Sequence, residues 1–313
     1  MKAAQFSRFG GAEVMEIVDL PDPHPGPGEI RIAVRAAGIN ASDWKKRRGE
    51  MDQALPQALG HEAAGVVDEL GEGVEDFAIG DRVFGLCTSG AAQAELAVLS
   101  CYAPIPRPLD FPAAAALPAA VETATRVLDQ LGVADGHVLL VHGASGTTGS
   151  TAVQLAVARG ARVIGSGGPA RQDHLRGLGA EPVVYGPGLV ERVRAVAPDG
   201  VDLALDAAGR GLPDLITLTG GPGQVVTIAD FAGAREHGVR FSRGDDGRAL
   251  HAIRSIGPLI ESGRFTLPAV RTFALADIAD AHRAGESGGL RGKLVLVIGP
   301  DARRHSGGGL SQE

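Results

Sequence analysis

The stretch VLLVHGASGTTGSTAVQLA (Val138–Ala156) constrains the fold more than any other part of the chain. A short apolar run ends at His142, a Gly-rich turn covers Gly143–Gly149, and a helical run follows. The turn reads Ala144-x-Gly146-x-x-Gly149, with Ser145, Thr147 and Thr148 between, so Ala stands where the first Gly of Gly-x-Gly-x-x-Gly would be. Glycines in such a turn let a ligand approach the backbone and let the helix pack close to the strand. The N–H groups and dipole of the helix N-terminus suit a pyrophosphate. The motif alone is weak, and the strand–turn–helix setting gives it meaning. The competing reading is a loop that only needs tight turns.

The rest of the chain is consistent with that start. From about Glu122 the pattern alternates: AAVETATRVLDQLG as helix, HVLLVH as strand, ARVIGSG as strand, ARQDHLRGLG as helix, then EPVVYG, VERVRAVA, VDLALDAAG and GGPGQVVTIAD. Such alternation predicts βαβ units and a doubly wound parallel sheet. The first ~110 residues carry short alternating apolar runs between Gly, Pro and Asp, the pattern of a β-rich domain. After Arg248 come the helical segments ALHAIRSIGPLIESG and LADIADAHRAG, then the strand GKLVLVIGP. The fold class is α/β, with a β-rich domain beside the wound sheet. The tail DARRHSGGGLSQE has no apolar pattern and is expected to be disordered.

Composition narrows the function classes. A chain of 313 residues with 44% hydrophobic residues suits two globular domains. A net charge of −7 argues against general nucleic-acid binding. No apolar run nears the ~20 residues that span a bilayer. The N-terminal MKAAQFSRFGG lacks a long apolar signal region, so a soluble cytoplasmic protein is expected. Cys87 and Cys101 are too few for a disulfide framework.

The second strand distinguishes two cofactors. An acid about 20 residues after the turn would bond a ribose 2′-hydroxyl. Here VIGSGGPARQDH places Ser166, Gly167 and Gly168 there, with Arg171 following and Asp173 in the next helix's first turn. A hydroxyl and a guanidinium suit a 2′-phosphate, which points to NADPH. Arg171 as a solvated helix residue is the alternative.

AAGINASDWKKRRG, LGHEAAGVV, GDRVFGL, AAALPAAVETA, VHGASGTTG, RGLGAEPVVYG and LRGKLVLV occur in that order over residues 1–300. In this the chain resembles medium-chain dehydrogenase/reductases of the quinone oxidoreductase branch, close to the alkenal and enone reductases. The resemblance implies a GroES-like catalytic domain (1–121 and 249–300) interrupted by a Rossmann domain (122–248). It also implies an active site in the cleft between them and homodimers. It assigns Thr123, Tyr185 and Lys293 to the cofactor, Tyr185 at the 2′-phosphate. A helix hydroxyl and a strand-end packing residue are the alternatives for Thr123 and Tyr185.

The same resemblance raises the question of His61 in LGHEAAGVV. A catalytic zinc takes Cys, His and a second Cys with one open position. The cysteine positions fall at Asn40 and near Ala119 in this chain, and a lone His61 is a poor zinc site. No metal is expected; His61 is read as a hydrogen-bonded structural residue or part of the cleft wall, and Glu62 as a buried or partnered acid.

The implied reaction is hydride transfer to a quinone or to the C=C bond of an α,β-unsaturated carbonyl. Asn40 opens the loop beside the nicotinamide in resembling enzymes, and its amide suits a ribose, a carboxamide or a substrate carbonyl. Lys45 lies where alkenal and enone reductases carry Lys, placed to stabilise a developing oxyanion or to anchor the cofactor. A solvated lysine in Lys45–Arg48 is the alternative. Ser42 or Asp43 is expected to cap a short helix. The only tyrosines are Tyr102 and Tyr185, so the Tyr acid of medium-chain enoyl-thioester reductases is missing. An enoyl reductase tailoring a polyketide-type metabolite and a non-catalytic NADPH-binding redox sensor stay open.

Overall fold

The computed structural model describes residues 1–87, 89–244, 247–288 and 292–299. The tail from residue 301, expected to be disordered, lies outside the described residues. The chain divides into two compact units: Met1–Ala119 with the chain from Ile253 onward, and Ala120–Ala252. The α/β class and the sheet-rich and parallel-sheet domains expected from the sequence are both present.

The first unit is built on a seven-stranded sheet. Its order is Val270–Ala274, Lys293–Val297, Ile30–Ile39, Glu62–Leu70, Arg82–Leu86 and Cys101–Pro104, with Leu96–Leu99 also paired to Ile30–Ile39. Ile30–Ile39 alternates buried and half-buried residues at first, the period-2 signature of one covered face, and is buried throughout its last four residues. Phe6, Ile30, Ile32, Leu59, Leu99 and Leu296 fill the core beneath. Register does the rest. Leu294 pairs with Ile39, so Lys293 comes level with Asn40. Ala63 pairs with Ala37, so Glu62 comes level with Gly38. Residues far apart in sequence thereby meet at one end of the sheet.

The second unit is a six-stranded, fully parallel sheet. Its order is Glu181–Val184, Arg162–Gly167, Val138–His142, Leu203–Asp206, Val225–Thr227 and Arg240–Phe241. The chain winds outward from Val138–His142 in one direction and then the other, so the order reverses between that strand and Leu203–Asp206. Ligands of open α/β sheets bind outside the strand ends at such a switch point. One apolar cluster holds Val127, Leu128, Val153 and Ala156, and another holds Val193, Leu212 and Leu215.

Two details depart from the sequence reading. ALHAIRSIGPLIESG is two short helices, His251–Ser255 and Gly257–Glu261, because Pro258 lacks an N–H and disfavours continuous helix before it. The strand Val270–Ala274 and the helices Leu212–Thr219 and Phe231–His237 lie outside the periodic segments named above. No helix among the described residues is long and apolar enough to cross a membrane.

Candidate active site

The Gly-rich turn lies at the switch point of the second unit. Gly143 has φ +80°, and a Cβ there would lie 3.1 Å from Ala207 and Ala208 atoms. A Cβ on Gly149 would lie 2.2 Å from the Gly143 carbonyl oxygen. Both positions therefore demand glycine, one for backbone conformation and one for helix-to-turn packing. Gly146 is open, with Gly143 O at 3.6 Å from an added Cβ. It precedes the helix Thr147–Ala158, whose first-turn N–H groups have no helical acceptor and suit a diphosphate. Ala144 is buried and its N–H donates to Ser166 O at 3.0 Å, so this residue sets the turn's path.

Three of the expected cofactor residues, Ser145, Arg171 and Tyr185, gather beside the end of the second strand. A Cβ on Gly167 would lie 3.5 Å from Arg171 Cβ and 3.6 Å from Ser145 Oγ. A Cβ on Gly168 would lie 3.6 Å from the Tyr185 ring, so that ring lies against bare backbone. Tyr185 is 57% exposed, free to present its hydroxyl to a ligand. Ser166 is placed differently. It is fully buried, its Oγ lies 2.7 Å from His142 Nδ1, and it accepts the Gly143 N–H at 3.3 Å. Its hydroxyl braces the turn from below. Burial holds His142 below the ordinary histidine pKa, in the neutral form that can accept the Ser166 proton. Thr123 Oγ1 donates to Glu122 Oε2 at 3.3 Å and accepts from Arg126 at 3.4 Å. Arg126 and Glu122 form a buried pair at 2.8 Å.

The first unit holds a second polar group. Glu62 is fully buried and Lys293 nearly so, with Nζ and Oε1 2.6 Å apart. Asn40 Nδ2 donates to the same Oε1 at 2.9 Å, and Lys293 donates to Asn40 Oδ1. The Ala119 N–H donates to Glu62 Oε2 at 2.7 Å. Asn40 thus spends its carbonyl and one N–H inside the protein. Asn40, not Ser42 or Asp43, is the N-cap of the helix Ala41–Arg47. Asp43 stands at the third helical position and accepts the Asn40 N–H at 2.8 Å, half of a capping box. Asp43 is itself fully buried, with Gln93 Nε2 at 3.1 Å, and burial pushes its carboxyl up to about 6.

Lys45 is half-buried in the same helix, and its ammonium has no hydrogen bond or ion pair among the described residues. The neighbouring Lys46 is the lysine that reaches His61, with Nζ to Nε2 at 2.9 Å. Sequence reading missed Lys46, Asp43 as a buried acid, Gln93 and His142. Only the KK doublet and the His that ends the strand offered any signal. No group of three or more His, Cys, Asp or Glu side chains among the described residues is arranged to hold a metal.

Residues 26–105 match the alcohol dehydrogenase GroES-like domain, and residues 178–296 match the zinc-binding dehydrogenase family. The chain is 35% identical, over 93% of its length, to the spectinabilin polyketide synthase system protein NorB of Streptomyces orinoci, of which it spans 14%. It spans about half of the human synaptic vesicle membrane protein VAT-1 homolog. It is 32% identical to rat quinone oxidoreductase over 73% of each chain. It is 29% identical to the Arabidopsis thaliana NADPH-dependent alkenal/one oxidoreductase, over 95% of this chain and 79% of that one. Among solved structures, Escherichia coli quinone oxidoreductase complexed with NADPH superposes with a TM-score of 0.83 at 26% identity, covering 95% of this chain and all of the other. With both halves matched and the strand order in place, the chain belongs to the quinone oxidoreductase branch of the medium-chain dehydrogenase/reductase family.

Proposed function

We propose that the protein is an NADPH-dependent oxidoreductase that reduces a quinone, or the C=C bond of an α,β-unsaturated carbonyl, without zinc. The observation that carries this reading is the gathering of Ser145, Arg171 and Tyr185 around the bare backbone of Gly167 and Gly168, with no acid at the strand end. A guanidinium and a phenol beside backbone that carries no side chain fit a 2′-phosphate, and a carboxylate there would repel it. The diphosphate would be held by Gly146, Thr147, Thr148 and Gly149 at the helix N-terminus. When bound, NADPH supplies the hydride.

The first unit supports the metal-free part of the reading. A zinc enzyme of this family would have cysteines at the position of Asn40 and near Ala119. Here Asn40 and Ala119 both donate to Glu62, and Lys293 neutralises that carboxylate. This is a donor set with its charge already balanced, lacking thiolates. Hydride addition to a conjugated carbonyl puts negative charge on its oxygen. Lys45, with an uncommitted ammonium, is the candidate to stabilise it, and one such donor is worth roughly 2.7–4 kcal/mol. The same reading has a small-molecule substrate and a homodimer in the cytoplasm.

The test is NADPH consumption with 1,2-naphthoquinone and with a short enone, before and after chelator treatment. Turnover of either substrate by metal-free protein, with NADPH far ahead of NADH, is expected. Equal affinities for the two cofactors, or activity that tracks bound zinc, would overturn the reading. The 35% identity to the NorB segment favours a second reading, an enoyl reductase tailoring a polyketide-type metabolite. Preferential turnover of an enoyl thioester over the free enone would select it.

A further inference from the structure

The strand Glu181–Val184 ends in a turn, Tyr185–Gly188, that carries the one exposed tyrosine. Gly186 and Gly188 both take positive φ, 90° and 79°. Such a turn has little backbone preference of its own and needs outside support to hold a side chain in place. Arg192 supplies that support. It lies on the following helix, Leu189–Val196, and its guanidinium turns back under the turn. Nε donates to Val184 O at 2.9 Å, Nη1 to Pro187 O at 2.9 Å, and Nη2 to Gly186 O at 3.0 Å and Tyr185 O at 3.4 Å. One side chain thus gathers the carbonyls of four consecutive residues, with no carboxylate paired to it among the described residues. The rigid fork of five donors is what makes this possible, and an ammonium cannot copy it. On the other side of the tyrosine, its N–H donates to Gly167 O at 3.2 Å, and its ring lies against Gly168.

We infer that Arg192 is a positioning residue for cofactor selectivity: by clasping the carbonyls of Val184–Pro187 it fixes Tyr185 over Gly168, where the tyrosine hydroxyl meets the ribose 2′-phosphate of NADPH. The inference rests on the reading of Tyr185 as a 2′-phosphate ligand. Arg192 touches no cofactor atom in this account and acts through the backbone of the turn. Holding the ligand group in place before binding removes an ordering cost that a free loop would have to meet.

The experiment measures binding of 2′,5′-ADP and 5′-AMP, and of NADPH and NADH, to Arg192→Ala, Arg192→Lys, Tyr185→Ala and the Arg192→Ala/Tyr185→Ala double variant. Thermal unfolding of each is followed in parallel. Arg192→Ala should weaken 2′,5′-ADP and NADPH about tenfold and change 5′-AMP and NADH by less than about twofold. In the Tyr185→Ala background the same change should have little further effect, because the group being positioned is gone. Arg192→Lys should behave nearly as Arg192→Ala. If Arg192→Lys keeps full selectivity, the residue acts as a charge near the phosphate and the clasp is wrong. Equal weakening of all four ligands would show a general loss of fold and also overturn it. If Arg192→Ala does not fold, Arg192→Lys and its double with Tyr185→Ala give the same answer. A selectivity ratio untouched by Tyr185→Ala would mean that the tyrosine reading has failed. A ratio lowered by Tyr185→Ala but not by the Arg192 variants would mean that only the clasp has failed.

Discussion

Replacing Lys293 by Met tests the polar group at the end of the first unit's sheet. The lysine is nearly buried and lies 2.6 Å from a carboxylate that is wholly buried. At an effective dielectric of about 20 the gross attraction of such a pair is ~6 kcal/mol, most of it offset by the cost of taking both charges out of water. Met keeps the length and apolar stem of Lys. It leaves Glu62 with only the Asn40 amide and the Ala119 N–H as partners. Breaking one side of a buried pair costs about 3–5 kcal/mol, which for a unit of this size is a fall in Tm of about 6–20 °C. Trp44, the only tryptophan, stands on the helix that Asn40 caps and packs against the same core. Urea unfolding followed by its fluorescence therefore reports on this unit directly. The double variant Glu62→Gln/Lys293→Met should lose much less than the sum of the two singles, because no charge is left unpaired. A single Lys293→Met variant within 1 kcal/mol of the parent would refute the reasoning and mean that water reaches Glu62.

Other outcomes follow from the same geometry. Lys45→Met should lower kcat and kcat/KM together on one enone, with the NADPH Kd little changed; kcat unaltered at saturating cofactor excludes the oxyanion role. Asp43 is raised to about 6 from 3.8, so its contribution is full below the unfolded value and is lost as pH rises through about 6. Asp43→Asn, which can still accept from Asn40 and Gln93, should abolish that part of the slope in urea titrations between pH 4 and 6. His282 runs the other way: burial, then the Arg47 charge, bring it down to about 4. Its contribution is present above 6.5 and lost as pH falls toward 4, so His282→Leu should flatten the acid side of the same profile. Gly149→Ala should cost about 1–3 kcal/mol by overpacking against Gly143 and weaken both dinucleotides alike, read by Tm and by NADPH and NADH titration.

Much of the architecture was legible because it rests on local patterns. The period change near Glu122, the turn Gly143–Gly149 and the missing acid after Val163–Gly165 are each contained within about 20 residues. The polar group around Glu62 is another matter. Lys293 and Asn40 stand at opposite ends of the chain, and only the pairing of Leu294 with Ile39 brings them together. The sequence alone points Asn40 to the nicotinamide or substrate and Lys293 to the cofactor, and offers Glu62 only as a buried or partnered acid, whereas the structure joins the three. The helix cap lies two or three residues before Ser42 and Asp43, because Asn40, Ser42 and Asp43 are all good capping types and the backbone path alone selects among them. For Ser166 the sequence gives only its place at the strand end. Strand alternation decides which way its hydroxyl points, and here that is inward, toward His142.

Gly38 shows what such convergence does to the routes open to mutation. A methyl group at this position would sit 2.3 Å from Glu62 Oε1 and within 2.7 Å of two more atoms of that side chain, in a strand that is otherwise ordinary β backbone. The glycine is required by the glutamate and not by its own conformation. Gly38→Ala should therefore be harmful while Glu62 is present and well tolerated once residue 62 has been shortened to Ala. The effects of the two changes should not add: Gly38→Ala alone overlaps the carboxylate, Glu62→Ala alone leaves Lys293 buried without its partner, and the pair should cost less than the sum. A lineage that fills the glycine must therefore give up the carboxylate as well, and with it the partner of Lys293.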